Sequence, residues 1–286
     1  MVLKNLLMKF KPKLLIAKKL NINYLKLLKV KLSKYYQIII PKKYNKLELI
    51  NLIKDARVCI GTSGQNYLIN QNNVLEVFQN IGSGLDGFKL EDLRNKKILL
   101  GKSNENSLLV AEYAVGMMMY LAKNFNEYLI PVNKTSKIKK LPTNILTKKK
   151  IGIIGYGSIG KNIVKLLYGF NNIFYVKTNF NKKKDTLNMK YKSINYILKN
   201  SDIIFICVPH TDKTTNLINN SNYKSISNNT LIINLSRSEI FQLSALKKLI
   251  RNKDVKISFD SNYKNQNDSR GFNLILKNNN KNIFFT

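Results

Sequence analysis

The sequence predicts an α/β protein of two domains, each a parallel β-sheet covered by helices. Three observations predict it. Short apolar runs bounded by turn residues alternate with helix-spaced segments in both halves of the chain. A Gly-x-Gly-x-x-Gly loop directly follows one of those runs, where a strand would turn into a helix. A length of 286 residues suits two domains of about 100–200 residues, each able to bury a core.

Residues 1–12 form a basic, apolar leader, and the first acidic residue is Glu48. Residues 13–17, Lys-Leu-Leu-Ile-Ala after Pro12, read as a short buried strand. Leu20, Tyr24, Leu27 and Leu28 follow at helical spacing. Residues 36–40 form a second strand ended by Pro41, which has no N–H to give a ladder. Leu47, Ile50, Leu52 and Ile53 suggest another helix, and Val58-Cys59-Ile60 a third strand. This domain is expected to span residues 13–105, and the second residues 106–286. Residues 106–129 read as one long, largely apolar helix between the domains, followed by a lysine-rich connection with Pro131 and Pro142. Strands are then expected at 151–154, 173–176, 203–208, 231–235 and 283–286, with helices between the earlier ones. Lys182-Lys183-Lys184 and residues 278–280 read as loop fillers.

Hydrophobic residues make up 44% of the chain, which excludes wholesale disorder. The best membrane candidate, residues 108–122, carries Glu112 and is shorter than the roughly 20 apolar residues of a span, so no membrane partner is expected. Forty-nine basic residues against sixteen acidic ones give a formal charge of +33. Only five of the basic residues are arginine: Arg57, Arg94, Arg237, Arg251 and Arg270. A phosphate-binding surface usually includes arginine for its bidentate fork. Lysine and asparagine spread along the whole chain point instead to a coding bias towards A and T, so nucleic acid is not the expected partner. Cys59 and Cys207 lie far apart in apolar runs and offer neither a disulfide framework nor metal-ligand spacing. That fits a reducing compartment, and the expected location is cytoplasmic. The leader has the charge of an organellar presequence without its arginine, so import is the alternative.

Gly155-Tyr156-Gly157-Ser158-Ile159-Gly160 follows the strand at 151–154 and opens a helical pattern with Ile163, Leu166 and Leu167. In such a loop the first glycine makes the tight turn and the second lets backbone approach a diphosphate. The third allows close helix–strand packing, and the helix start, at Ser158 and Ile159, supplies partial positive charge. The bland alternative is a plain strand–turn–helix corner. The next strand ends Tyr175-Val176-Lys177-Thr178-Asn179, and no acidic residue occurs between Glu127 and Asp185 to hold a ribose 2′-hydroxyl. Lys177 and Thr178 would tolerate a 2′-phosphate, so the cofactor is read as NAD or NADP.

The sequence at this point resembles the D-isomer-specific 2-hydroxyacid dehydrogenases, a group containing D-3-phosphoglycerate dehydrogenase and the glyoxylate or hydroxypyruvate reductases. The resemblance runs from about Lys13 over nearly the whole chain. Gly82-Ser83-Gly84-Leu85-Asp86 resembles the family's substrate-side glycine turn, and residues 106–112, Asn-Ser-Leu-Leu-Val-Ala-Glu, the start of its interdomain helix. Gly155, Gly157 and Gly160 match the cofactor loop. Val208-Pro209-His210-Thr211 with Thr214 resembles a Pro-x-Thr signature, and Ile233-Asn234-Leu235-Ser236-Arg237 an Asn-x-x-Arg motif. Asp260 matches a cofactor-contacting aspartate.

The resemblance implies a flavodoxin-like substrate domain and a Rossmann-like dinucleotide-binding domain. It implies hydride transfer between nicotinamide and C2 of a small 2-hydroxy or 2-oxo acid, in a homodimer. Arg237 would hold the substrate carboxylate and polarise its carbonyl. Ser83, Gly84 and Asn106 fall on the substrate side, and Val208, Pro209, Thr214, Leu235, Ser236 and Asp260 on the cofactor side. Proton transfer in the family uses a histidine oriented by a glutamate. The glutamate's place is taken by Asn265, and the histidine would follow residues 283–286, so the resemblance implies a shortened chain. His210 reads as a loop histidine with no proton-transfer role. Other departures are Ser238 in place of the glycine after the arginine, and Thr62-Ser63 where phosphoglycerate enzymes carry arginine before serine. Asn252-Lys253 and Val255-Lys256 stand where glycines shape the strand before Asp260. The alternative is a non-catalytic, regulatory dinucleotide-binding relative.

Overall fold

The computed structural model describes residues 11–125, 144–179, 188–261, 263, 266–278 and 282–285. The chain divides into two compact units, Met1–Asn104 and Glu105–Thr286. In the first unit, strands β1 (Lys13–Ile16), β2 (Gln37–Ile39), β3 (Ala56–Gly61), β4 (Val77–Asn80) and β5 (Leu99–Gly101) form one sheet in the order β2-β1-β3-β4-β5. Every pairing is parallel, and the order is that of flavodoxin-like folds. Helices α1 (Ile22–Leu32), α2 (Lys46–Ile53) and α3 (Leu90–Asn95) accompany it. Leu15, Leu49, Ile53, Cys59, Leu68 and Phe78 are buried in its core, where Phe78 meets the edge of Phe88 at 5.2 Å between ring centroids. Asn45 starts α2 by accepting a hydrogen bond from the Glu48 N–H, and Glu48 in turn accepts from the N–H groups of Lys42 and Lys43.

The second unit holds a seven-stranded parallel sheet. Its strands are β6 (Lys150–Ile154), β7 (Ile173–Lys177), β8 (Met189–Tyr191), β9 (Ile203–Ile206), β10 (Leu231–Asn234), β11 (Lys256–Phe259) and β12 (Ile283–Phe285). They lie in the order β12-β11-β10-β9-β6-β7-β8, the doubly wound arrangement with a reversal between β6 and β9. The helices are α4 (Ser107–Ala122), α5 (Ser158–Leu166), α6 (Ile194–Asn200), α7 (Leu243–Asn252) and α8 (Gln266–Asn278). Strand residues feed two cores alternately. Ile151, Ile153, Phe205 and Ile233 pack with Met118 of α4 and Ile163 of α5 on one face. Ile154, Ile204, Ile206 and Ile232 pack with Ile197 of α6 and Leu246 and Leu249 of α7 on the other. Successive residues of a strand point to opposite faces, so burial on both sides forces unbroken apolar runs. Phe205, in the central strand β9, is wholly buried.

Several expectations shift. Strands β4, β5 and β8 were not foreseen; each has only three or four residues, and β5 and β8 are sheet-edge strands. The inward positions of α1 are Leu25, Leu28 and Leu32, all only half-buried, whereas Tyr24 and Leu27 of the expected stripe are exposed. The strand expected at 203–208 ends at Ile206, because Cys207 and Val208 already belong to the turn. The long helix starts at Ser107 and ends at Ala122, where Lys123 caps it and Asn124 takes a left-handed φ of 54°. Positions 126–143, 182–184, Asn265 and Thr286, named above, lie outside the described residues. Among the described residues no helix is long and apolar enough to cross a membrane.

Candidate coenzyme and substrate site

Strand register places Lys177, Ile154, Ile206, Asn234 and Phe259 in one row across the second sheet. The loops that leave this row carry the cofactor candidates, on the carboxyl edge where open α/β sheets bind ligands. The three glycines after β6 have three different surroundings. Gly155 has a φ of +102°, and a Cβ built on it would stand 2.7 Å from the Cys207 carbonyl carbon and 2.8 Å from the Val208 nitrogen. Only glycine fits there. A Cβ on Gly160 would stand 2.4 Å from the Gly155 carbonyl oxygen, which sets how closely α5 approaches β6. A Cβ on Gly157 would meet nothing within 4 Å. Gly157 is the N-cap of α5, and the first helical bond runs from Lys161 N–H to the Gly157 carbonyl at 3.0 Å. The amides of Ser158, Ile159 and Gly160 therefore have no partner inside the helix. Open space in front of bare amides at a helix start fits a diphosphate.

The turn is fixed to its neighbours. Gly155 N–H donates to the Lys177 carbonyl at 2.9 Å, and Cys207 N–H to the Ile154 carbonyl at 2.7 Å. These bonds bring the ends of β7 and β9 alongside the glycine loop. Lys177 and Thr178 are partly exposed beside it. Burial pushes the thiols of Cys59 and Cys207 up to about 12, so neither is a thiolate near neutral pH.

After β9, Thr214 braces its own loop: its hydroxyl accepts from Thr211 N–H at 2.8 Å and donates to the Pro209 carbonyl at 2.7 Å. His210 Nε2 lies 3.0 Å from Thr215 Oγ1. After β10, the Asn234 side chain accepts from Ser236 N–H at 3.1 Å and donates to the Arg237 carbonyl at 2.9 Å. Leu235 and Ser236 are buried, and Arg237 is partly exposed, its Nη1 donating to the Ser236 carbonyl at 3.2 Å. Asp260 follows β11. Desolvation raises its carboxyl above the ordinary value, and the positive charge of Arg237 pulls it back. Arg237 and Asp260 thus share one electrostatic neighbourhood.

In the first unit, Ser83 and Gly84 lie just beyond β4, at the same edge of their own sheet. The turn is held by Asn80, whose buried amide donates to the carbonyls of Gly82 and Gly84, both at 2.9 Å. Asn106, in the second unit, is exposed at the N-cap of α4 without a side-chain cap bond. Asn80 and Ser261 were missed in the sequence. For Asn80 the signal is an asparagine ending a strand just before a glycine turn, the place where a side-chain amide replaces backbone partners.

The NAD binding domain of D-isomer specific 2-hydroxyacid dehydrogenases matches residues 115–279. The chain belongs to this family. It is 28% identical over 214 residues to D-3-phosphoglycerate dehydrogenase of Methanocaldococcus jannaschii, covering 72% of this chain and 41% of that protein. It is 27% identical over 206 residues to hydroxypyruvate reductase of Thermotoga maritima, covering 70% of this chain and 66% of that one. The chain thus spans about two fifths to two thirds of the length of these relatives. Its fold is that of NAD+-bound 3-phosphoglycerate dehydrogenase from Entamoeba histolytica, with a TM-score of 0.79 at 22% identity over 96% of this chain and 86% of that one. The second unit of this dehydrogenase-family chain is an NAD(P)-binding domain.

The glycine geometry separates coenzyme binding from folding. Gly157→Val should leave the melting temperature within about 1 °C, below the roughly 2–4 °C by which 1 kcal/mol shifts a unit of this size. It should weaken dinucleotide binding at least tenfold, or about 1.4 kcal/mol. Gly160→Ala, which drives a methyl into backbone, should cost about 1–3 kcal/mol of stability. Thermal melts and calorimetric titration with NADH and NADPH read both effects, and tight binding by Gly157→Val would refute the site.

Proposed function

We propose that the chain is an oxidoreductase of the D-2-hydroxyacid dehydrogenase type, acting between NAD(P) and C2 of a small 2-oxo or 2-hydroxy acid. The observation that carries this is the glycine loop, whose open Gly157 and bare helix amides stand on the same sheet edge as Arg237. The amides of Ser158, Ile159 and Gly160 hold the diphosphate, Lys177 and Thr178 face the adenosine ribose, and Val208, Pro209, Leu235, Ser236 and Asp260 line the nicotinamide side. When bound, the nicotinamide gives or takes the hydride. Arg237 holds the substrate carboxylate and polarises the carbonyl through its guanidinium fork. Asn106 is the further substrate-binding candidate of the second unit, and Ser83 and Gly84 are those of the first. Arginine is scarce here, five among forty-nine basic residues, which supports a selected role at this position.

The proton that accompanies hydride transfer is the weak point of this site. Asn265 stands where the resemblance places the orienting glutamate, and this favours a second reading, a dinucleotide-binding regulator without turnover. With NADPH, reduction of glyoxylate or hydroxypyruvate should be detectable but slow, about 10²–10⁴-fold below an enzyme with a working acid/base. Arg237→Ala should abolish that rate while coenzyme still binds. Coenzyme binding with no turnover of any 2-oxo acid would favour the regulator.

The cationic end of β7 accepts a 2′-phosphate, so NADPH should bind at least as tightly as NADH. Lys177→Glu should reverse the preference by about tenfold, each tenfold being 1.4 kcal/mol. Equal affinities before and after the substitution would remove Lys177 from the site. We also infer a homodimer formed through α4, where Leu108, Leu109 and Tyr113 are exposed and a Cβ on Gly116 would meet nothing within 4 Å. Sedimentation should show a dimer that Leu109→Glu converts to a monomer, and a monomeric parent protein would refute it.

A further inference from the structure

Serine hydroxyls tie together the ends of β9, β10 and β11, and the ties converge on Arg237. Ser236 Oγ donates to the Val208 carbonyl at 2.6 Å, joining the loop after β10 to the loop after β9. Ser261 Oγ donates to the Ser236 carbonyl at 3.4 Å, joining the loop after β11 to the loop after β10. Ser238 Oγ donates back to the Ser261 carbonyl. Asp260 N–H donates to the Asn234 carbonyl at 3.3 Å. Each acceptor is a backbone carbonyl, so the lacing fixes the main chain on both sides of Arg237 and next to Asp260.

Burial makes these bonds matter. Ser238 is fully buried and Ser236 nearly so, and a hydroxyl withdrawn from water that loses its partner is costly. Ser238 is also the residue that departs from the glycine of the family pattern. Glycine has no hydroxyl and could not make the bond to the Ser261 carbonyl, and its backbone would leave the segment after Arg237 freer.

We propose that Ser238 is a positioning residue that locks the Arg237 loop to the strand end carrying Asp260 and so fixes the guanidinium for an incoming carboxylate. The proposal rests on the reading of Arg237 as the carboxylate holder. Arg237 is placed between two anchored residues, Ser236 bound to the β9 loop and Ser238 bound to the β11 loop. A cation held from both sides loses less freedom when a carboxylate arrives, so it binds that carboxylate more tightly.

Two measurements on the full chain test this, with Ser238→Ala as the variant and Ser238→Gly as the replacement if the first does not fold. The first is a ¹³C NMR titration of the Asp260 carboxyl, assigned with Asp260→Asn. Arg237 is the charged neighbour acting on this group. Removing the Ser238 hydroxyl should loosen that neighbour and move the titration midpoint upward; an unmoved midpoint overturns the proposal. The second is the affinity of oxamate for protein saturated with coenzyme. Ser238→Ala should weaken it about tenfold in the parent chain and have no effect in an Arg237→Ala background. An equal loss in both backgrounds would mean a general structural effect and overturn the positioning role. If the parent chain binds coenzyme but no oxamate, the substrate reading fails by itself, and the Asp260 midpoint still decides whether Ser238 holds Arg237.

Discussion

Between the turn after β6 and the peptide joining Cys207 to Val208 there is no room for a side chain. A carbon on Gly155 would lie within 2.8 Å of three backbone atoms, and Gly155 must also adopt a positive φ. This close approach lets β6 and β9 end side by side at the point where strand order reverses. The approach of Gly160 to the Gly155 carbonyl then brings the start of α5 over the same point. Chain connectivity, sheet topology and helix dipole therefore meet at one opening, the one that Gly157 leaves clear. The loops after β7, β9, β10 and β11 leave the same sheet edge.

Electrostatics inside the site differ from electrostatics on the surface. The chain carries a formal charge of +33, but most of that charge is lysine at solvated positions, where screening makes individual charges nearly interchangeable. Asp260 is different. Its carboxyl is raised by desolvation and lowered by a single named partner, Arg237. A scarce arginine beside a partly desolvated acid marks a place where charge is held in a fixed geometry. The salt bridges of the first unit, Lys13 with Asp55 and Arg57 with Glu76, lie on exposed side chains and do nothing of this kind.

Much of the second unit was legible in advance because its strands are buried on both faces. Residues 203–206 and 231–233 can be read as strand from composition, since each of these positions is apolar and serves one of two cores. The glycine loop was legible for a different reason: backbone clearance dictates Gly155 and Gly160, and their spacing marks Gly157 between them. The short strands β4, β5 and β8 were not, because three or four residues carry too little pattern. Helix α1 misled for another reason: apolar residues occur on more than one of its faces, and spacing alone could not tell that Leu25, Leu28 and Leu32 turn inward.

Sequence by itself determined the α/β class and the position of the glycine corner, since these depend on local clearance and on runs of apolar residues readable in order, and it pointed to the family through the resemblance of its ordered motifs. Tertiary structure decided which polar side chains brace the candidate loops within each unit. Asn80 gathers the carbonyls of its glycine turn, and Ser236, Ser238 and Ser261 lace three strand ends that are 25 residues apart or close to it in the chain. Serine and asparagine are everywhere in this sequence, and their identity says nothing until the fold removes water and presents a carbonyl that needs a donor.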